Sequence, residues 1–338
     1  MKIAFFIRNC NERGGEVSMY DYADYNEKFL TNKSIIISFK KEKYIAWNPD
    51  HPFKDDVLNK FKNRFDVFQV DEFADIDDLL VRENVDLIYF QNGGTDNETY
   101  PFGYVYNTKT FIHCVFNTDT KYGNIYSPIS DWLNKKFNTN YPVLPYMVHL
   151  GDTTEDLRLQ LSIPKTAKVF GRHGGFTTFS IEFVKDIVKK VALENPDIYF
   201  LFLNTETFSE NIPNIIYLPC TVDLEEKRRF INTCDAMLHG RADGETFGLS
   251  VAEFAICKKP IISYKGGSTV FTGKHYTNAD YAHFDILGDK IIPYTNVEEV
   301  KKLLVSFDLS SVDMNNNGYI KYTPENVMKI FNDIITNN

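Results

Sequence analysis

The stretch KVFGRHGG, residues 168–175, decides the fold class, because a short apolar strand runs directly into a Gly-Gly pair. A helical pattern follows at about 180–193, and the next apolar strand, DIYFLFL, occupies 197–203. Short apolar strands that alternate with helices are typical of a parallel sheet covered on both faces. The sequence therefore predicts that this part of the chain is a doubly wound, Rossmann-like α/β domain.

The start of the chain has the same order of elements. KIAFFI at 2–7 is followed by Gly14-Gly15, by a helical stretch that ends near Leu30 and by the strand SIIISF at 34–39. We therefore expect a second doubly wound domain. Two such domains would face each other across a cleft, because each sheet binds ligands at the carboxyl ends of its strands.

A break in the pattern marks the predicted border between the two domains. From about 142 to 165 the alternation stops at three prolines and a glycine. We predict an N-terminal domain over 1–150 and a C-terminal domain over 151–323. Residues 324–338 are predicted to form a closing amphipathic helix.

Composition limits the class of protein. The 37 basic and 46 acidic residues give a net charge of −9, which argues against a general nucleic-acid binder, since such proteins need a basic face. The five cysteines are scattered without a CxxC pair, and no apolar run reaches the roughly 20 residues of a membrane span. These features predict a soluble, cytoplasmic protein. The run Lys40–Lys43 fits a solvated loop, and it leaves peripheral contact with an anionic membrane open.

Two loops carry an arginine ahead of paired glycines, Arg13-Gly14-Gly15 and Arg172-His173-Gly174-Gly175. Glycine lets the backbone approach a ligand, and a helix N-terminus after it favours an anion. A tight turn between strand and helix would need the same glycines. Their equivalent places in two domains favour ligand binding at Gly15 and Gly174.

The richest stretch runs from Cys234 to Ser268, CDAMLHGRADGETFGLSVAEFAICKKPIISYKGGS. Glu245 lies in the loop after the strand DAMLH, and Glu253 is expected in the first turn of the following helix. The backbone N–H groups of about 247–250 would bind a diphosphate between the two carboxylates, which themselves suit sugar and ribose hydroxyls. Ser250 and Glu253 also fit a capping box, which would make Glu253 purely structural.

This stretch resembles the donor-binding motif of retaining glycosyltransferases of the GT4 type, which have the GT-B fold. Their E-x7-E motif stands here as Glu245 to Glu253. The flanking Lys259-Pro260-Ile261-Ile262 resembles the family's G-K-P-V-I, and Val169 to Arg172 resembles its V-G-R strand end. The resemblance is strongest over about 166–268.

The resemblance implies roles for particular residues. Glu253 would hold the nucleotide ribose, Glu245 the hydroxyls of the donor sugar and Arg172 the diphosphate. The amide-bearing start of the helix would contact the donor through three further residues: Phe247, Gly248 and Leu249. His113, in the strand TFIHCVF, is near the place where the family often has a histidine beside the sugar, although a lone histidine in a strand is more often a buried core residue.

One departure from the family concerns a lysine that usually follows the arginine by about six residues, where this chain has Thr178. Arg241 is our candidate for the missing cation, and a surface arginine is the alternative. The resemblance implies no metal, and the one DxD-like spacing, Asp75-Ile76-Asp77, lies in an acidic helical run that we expect to be exposed.

The function predicted from the sequence is retaining transfer of a sugar from a nucleotide-diphospho-sugar to a glycan or another hydroxyl acceptor, with no cofactor. The N-terminal domain would face the acceptor and the C-terminal domain the donor. A GT-B sugar-nucleotide epimerase remains an alternative, and so does a catalytically silent protein that binds sugar nucleotides or glycans.

Overall fold

The computed structural model of the chain describes residues 1–8, 10, 14–47, 53–94, 102–267, 269–271, 276–306 and 308–337. They belong to two compact units. Unit 1 comprises Met1–Met147 and Tyr322–Asn338, and unit 2 comprises Val148–Lys321. The borders lie close to the predicted ones at 150 and 323.

Unit 1 is built on a parallel sheet. Its described strands are β1 (Lys2–Ile7), β2 (Lys33–Phe39), β3 (Asp66–Val70), β4 (Leu87–Asn92), β5 (Lys109–Cys114) and β6 (Ile125–Pro128). They lie in the order β3-β2-β1-β4-β5-β6, and every neighbouring pair is parallel. The central strand β1 is apolar and almost wholly buried, as the KIAFFI pattern predicts.

Helices cover this sheet between the strands. They are α1 (Gly14–Leu30), α2 (Lys41–Trp47), α3 (Asp55–Lys62), α4 (Asp75–Arg82) and α5 (Asp131–Phe137). The expectation of a solvated loop at Lys40–Lys43 is wrong, because helix α2 begins at Lys41. Lys40 and Lys41 form ion pairs with Asp71 and Asp55 at 2.6 and 2.5 Å.

The acidic run at the start of α4 also differs from the expectation. Asp77 is buried rather than exposed. Its Oδ1 accepts the backbone N–H groups of Tyr106 and Asn107 at 3.0 and 3.1 Å. The carboxylate thus anchors the chain that enters β5, which is why it is withdrawn from solvent.

Unit 2 repeats the architecture. Its main strands are β7 (Lys168–His173), β8 (Ile198–Leu203), β9 (Ile215–Leu218), β10 (Ala236–His239), β12 (Ile261–Tyr264) and β16 (Ile291–Tyr294). Their order is β16-β12-β10-β7-β8-β9, again with parallel neighbours. The prediction of two doubly wound α/β domains is therefore confirmed.

Short strands form two small ribbons beside this sheet. They are β11 (Gly244–Glu245), β13 (Thr269–Phe271), β14 (Tyr276–Asn278) and β15 (Asp280–Tyr281). β11 pairs with β15 in parallel, and β13 pairs with β14 antiparallel. The helices of the unit are α6 (Glu182–Glu194), α7 (Leu224–Thr233), α8 (Leu249–Ile256), α9 (Ala282–Leu287) and α10 (Val297–Ser306).

The chain then returns to unit 1 through α11 (Pro324–Asn337). Its buried face packs in the core that β1, β4 and α1 share. Phe331 contacts the rings of Tyr22, Tyr89 and Phe111 at centroid distances of 5.7, 6.0 and 5.6 Å. The predicted closing helix is thus a core element of unit 1.

Candidate functional site

Arg172 lies at the carboxyl end of β7 and is almost fully buried, with 4% of its surface exposed. Its guanidinium donates hydrogen bonds to the carbonyl oxygens of Asn204 (3.3 Å) and Gly175 (2.9 Å). It also donates to the hydroxyls of Thr205 and Thr178, both at 2.5 Å. All four acceptors are neutral. Among the residues that the structure describes, no carboxylate lies within 4.0 Å of this guanidinium.

The glycine loop after β7 makes room for this arginine. Gly174 has a φ of 154°, and a Cβ there would lie 3.0 Å from Nη2 of Arg172. Burial lowers the pKa of Arg172 to about 10, although the nearby Glu245 carboxylate raises it, and the Arg241 guanidinium adds to the lowering. Gly174 therefore leaves room for the buried guanidinium of Arg172, whose charged form is disfavoured by burial.

Arg241 and Glu245 lie between β10 and α8, and they form an ion pair. Nη1 of Arg241 donates to Oε2 of Glu245 at 3.1 Å, and Asp243 lies 3.8 Å from Nε of Arg241. Arg241 is therefore not a bare surface side chain, since only 26% of it is exposed. It is neutralised by Glu245 in this state.

Glu245 is mostly buried, and it lies in a short strand rather than in the loop predicted from the sequence. It belongs to β11, and 14% of its side chain is exposed. Burial alone would raise the pKa of its carboxyl, but Arg241 and His239 lower it to about 2. Oε1 lies 3.1 Å from Nε2 of His239. Glu245 is thus an ionised carboxylate held from two sides.

Glu253 is buried in unit 2, where one carboxylate oxygen forms an ion pair with Lys227 and the other lies beside the ring of His173, whose pKa is lowered by burial. Nζ of Lys227 donates to Oε1 at 2.8 Å, and Nε2 of His173 lies 3.0 Å from Oε2. Burial raises the pKa of this carboxyl, but Lys227 and His173 lower it to about 2. The His173 ring stacks on Phe254 at 5.6 Å. His173 is therefore committed to Glu253 and to the core.

The capping-box interpretation of Glu253 is wrong. The N-cap of α8 is Gly248, which has φ 83° and no side chain, so Ser250 lies inside the helix. Glu253 is consequently in the second turn, not the first. A Cβ at Gly248 would lie 3.2 Å from Cβ of Glu245, so the glycine brings the helix start close to that carboxylate.

The other residues predicted for the helix start are placed differently from one another. The Phe247 side chain is buried, and its carbonyl accepts a hydrogen bond from the Tyr319 hydroxyl at 2.5 Å. Leu249 is the first residue of α8 and is half-buried. Of Phe247, Gly248 and Leu249, Leu249 alone is partly exposed.

The predicted site residues of unit 1, His113 and Gly15, lie on different elements. His113, on β5, is fully buried among Tyr22, Tyr89 and Tyr146, and burial lowers its pKa to about 3. This is the placement of a core histidine, so its role beside a sugar stays a prediction. Gly15 is the second residue of α1, and a Cβ there would lie 3.3 Å from Gln91 Oε1. Arg13 lies outside the described residues.

Four side chains of the site were missed in the sequence: Lys227, His239, Ser263 and His283. His239 and Ser263 end neighbouring parallel strands, so the alignment of strand ends could have paired them. Lys227 and His283 carried no such signal. Within the described ranges no helix is long and apolar enough to cross a membrane. No group of three potential metal ligands was found in that part of the chain either.

Comparison with known proteins finds similarity in structure only. No protein-family model matches the sequence, and no curated protein matches it. A sucrose-phosphate synthase from Thermosynechococcus elongatus matches over 100% of both chains, with a TM-score of 0.68 and 9% identity. HepE from Anabaena, in complex with UDP and glucose, matches over 100% of this chain and 99% of its own, with 0.64 and 14%.

The fold is GT-B. An epimerase shares it: a putative UDP-N-acetylglucosamine 2-epimerase from Listeria monocytogenes matches over 97% of this chain and 94% of its own, with a TM-score of 0.60 and 11% identity. At such identities the likeness establishes the fold, and the chemistry must be argued from the side chains.

Proposed function

We propose that the chain is a retaining glycosyltransferase of the GT4 type that binds a nucleotide-diphospho-sugar in unit 2. Arg172 carries this proposal. A buried charge without a carboxylate in direct contact is costly, and burial already lowers the pKa of this guanidinium to about 10. An anionic ligand at the loop of Gly174 and Gly175 would supply the missing negative charge.

A diphosphate fits this position better than a simple anion. Arg241 is close enough to Arg172 to lower its pKa, so two guanidiniums share one region. Glu245 stands beside them as an ionised carboxylate, which accepts hydrogen bonds from hydroxyls. A sugar diphosphate requires this combination: cations that bind the phosphates, and beside them a group that accepts hydrogen bonds from the sugar hydroxyls. That HepE binds UDP and glucose on the same fold supports this assignment.

The proposed reaction transfers the sugar with retention. The bond between the anomeric carbon and the diphosphate oxygen breaks, and a bond to the acceptor oxygen forms on the same face. The acceptor proton passes to the departing phosphate. Arg172 and Arg241 stabilise the charge that develops on the leaving group, so these side chains, rather than a metal, are proposed to do this work. Glu253 would contact the ribose with the lone pairs that its ion pair with Lys227 does not use.

The test is thermal unfolding and calorimetry with UDP, GDP, ADP and their sugar conjugates. A ligand that binds only the native state raises its stability by RT ln(1 + [L]/Kd). We expect one nucleotide to raise Tm and the Arg172→Gln variant to lose that response. Arg158→Gln is the matched control, because Arg158 is a mostly buried arginine of unit 2 that binds Asp235 at 3.0 Å. If Arg158→Gln loses the response equally, Arg172 has no special role in binding.

An epimerase is the second candidate, because the Listeria protein shares the fold over almost the whole chain. An epimerase would convert the sugar of the donor without any acceptor. Incubation with UDP-N-acetylglucosamine in deuterated water would then place deuterium on the sugar ring. We expect no such exchange. A silent binding protein, which the threonine at position 178 would suit, would instead bind the donor but neither transfer nor hydrolyse it.

A further inference from the structure

A buried chain of hydrogen bonds runs inward from Glu245. Nε2 of His239 lies 3.1 Å from Oε1 of Glu245, and Nδ1 of the same ring lies 3.0 Å from Oγ of Ser263. Oγ of Ser263 in turn lies 3.0 Å from Nε2 of His283. We call His239, Ser263 and His283 the relay. Ser263 and His283 are 0% exposed and His239 is 3% exposed.

The fold fixes this chain through three elements. His239 and Ser263 are direct partners at the carboxyl ends of the parallel strands β10 and β12. His283 is the second residue of α9, directly after β15. β15 pairs with β11 and sets Tyr281 against Glu245 itself. Backbone pairing and the relay therefore close a ring that starts and ends at Glu245.

The hydrogen atoms of the chain can be arranged in one consistent direction. In this arrangement a neutral His239 ring donates from Nε2 to the ionised Glu245 carboxylate and accepts at Nδ1. Ser263 then donates its hydroxyl hydrogen to His239 and accepts one from Nε2 of His283. Both imidazoles are neutral in this arrangement. Burial lowers the pKa of His283 well below its ordinary value, in agreement with a neutral ring.

The connectivity is that of a Ser-His-acid triad, but the exposed end is reversed. In a hydrolase the serine faces the substrate and the acid orients the histidine. Here Ser263 is fully buried and occupied on both sides, whereas Glu245 is the one member that reaches the surface of the site, with 14% of its side chain exposed. The group that can contact a ligand is therefore the Glu245 carboxylate and not the Ser263 hydroxyl.

We propose that the relay holds the Glu245 carboxylate in the orientation that binds the hydroxyls of the donor sugar, an inference that rests on the proposed function. His239, Ser263 and His283 are positioning residues. His239 holds Oε1 and Arg241 holds Oε2, so the carboxylate cannot rotate. Each oxygen keeps a lone pair for a sugar hydroxyl. Burying three polar side chains in a sheet core carries a desolvation cost that apolar side chains would avoid, so a positioning role accounts for their presence.

The experiment compares nucleotide binding with sugar-nucleotide binding in Ser263→Ala, which cuts the relay and leaves Glu245 and Arg241 in place. UDP-glucose, UDP-N-acetylglucosamine, GDP-mannose and ADP-glucose are titrated calorimetrically against wild type, each beside its free nucleotide. The pair with the tightest sugar-nucleotide binding is used for the variants. Ser127→Ala is the matched control, because Ser127 is an equally buried serine of β6 in unit 1.

We expect Ser263→Ala to bind the free nucleotide like wild type and to lose affinity for the sugar nucleotide by about tenfold, as for a hydrogen bond to a charged group. kcat should fall by at least as much. Ser263→Thr, which restores the hydroxyl, should recover both, and Ser127→Ala should change neither. His283→Gln retains a hydrogen-bond donor at the Nε2 position. Its sugar-nucleotide affinity and its kcat should therefore lie between those of wild type and of Ser263→Ala.

Three results would overturn the proposal. If Ser263→Ala keeps the full sugar contribution and kcat, the relay does not position Glu245. If it loses nucleotide and sugar affinity together with stability, the relay is only structural. If wild type binds none of the four sugar nucleotides or their free nucleotides, the proposed function fails, and with it the ligand that the relay is proposed to serve. This result is measured on wild type alone, so it is distinguishable from the other two, which are measured on Ser263→Ala.

Discussion

Replacing Glu253 by Gln should destabilise unit 2 strongly, although a role at the ribose alone would predict little loss of fold. The carboxylate is 3% exposed and the Lys227 side chain 11% exposed, and their atoms lie 2.8 Å apart. Gln would leave the Lys227 ammonium buried without a counter-charge. Breaking a buried ion pair from one side costs about 3–5 kcal/mol, which corresponds to a fall in Tm of roughly 6–20 °C for a unit of this size.

A second variant separates this structural cost from ligand binding. Lys227→Met removes the ammonium and keeps the length of the side chain, so the double variant Glu253→Gln/Lys227→Met no longer buries an unpaired charge. We expect it to recover most of the lost free energy of unfolding in urea. If Glu253 also contacts the ribose, nucleotide affinity should stay low in the double variant, because the ligand still lacks its carboxylate.

The two measurements can refute the two parts of the reasoning independently. An unfolding free energy for Glu253→Gln within about 1 kcal/mol of wild type would show that the buried pair is not worth what its geometry indicates. A double variant that regains nucleotide affinity along with stability would show that Glu253 acts on the ligand only through the fold. Unfolding should be followed by a probe in unit 2, because two units need not unfold together.

The other expectations concern the charges around Arg172. Glu245→Ala should lower kcat by about 100-fold while nucleotide affinity is kept, because the sugar loses its orienting contact; near-normal turnover with the true donor would contradict this. Activity should persist in excess EDTA, since two guanidiniums are proposed to stabilise the leaving group, and a strict need for Mg²⁺ or Mn²⁺ would contradict it. Arg172→Ala and Arg241→Ala should each reduce kcat/KM by about 2–4 kcal/mol and be non-additive in a double-mutant cycle, whereas an Arg241→Ala variant like wild type would place the second cation elsewhere. Folding should weaken in acid: Glu245 and Glu253 have pKa values lowered from 4.5 to about 2, so their stabilisation is complete above pH 4.5 and is lost as the pH falls towards 2, which urea titrations across that window would detect.

The two sheets could be predicted from the sequence because their strands are buried on both faces. KIAFFI and DIYFLFL are nearly continuous apolar runs, and such runs are read directly. The elements that were missed are of another kind. β11 and β15 have two residues each, and α2 carries two lysines, Lys41 and Lys43, that favour solvent by composition. Their formation depends on pairing and ion contacts with distant residues, which no local pattern reports.

The candidate site was predictable only where its members are close in sequence. Arg241 and Glu245 are four residues apart, and the structure pairs them. Glu253 instead meets Lys227 and His173, which come from α7 and the end of β7. Which cation reaches a buried carboxylate is decided by the packing of three elements. Sequence spacing can therefore nominate the carboxylate but not its partners.

The return of α11 to the first unit has a consequence for biosynthesis. Phe331 fills the core between Tyr22, Tyr89 and Phe111, and α11 follows the whole of unit 2 in the chain. On the ribosome, residues 1–147 therefore emerge with a gap in their core that α11 closes, while the described strands and helices of unit 2 are all translated before α11. The unit that is synthesised first should accordingly reach its native packing last.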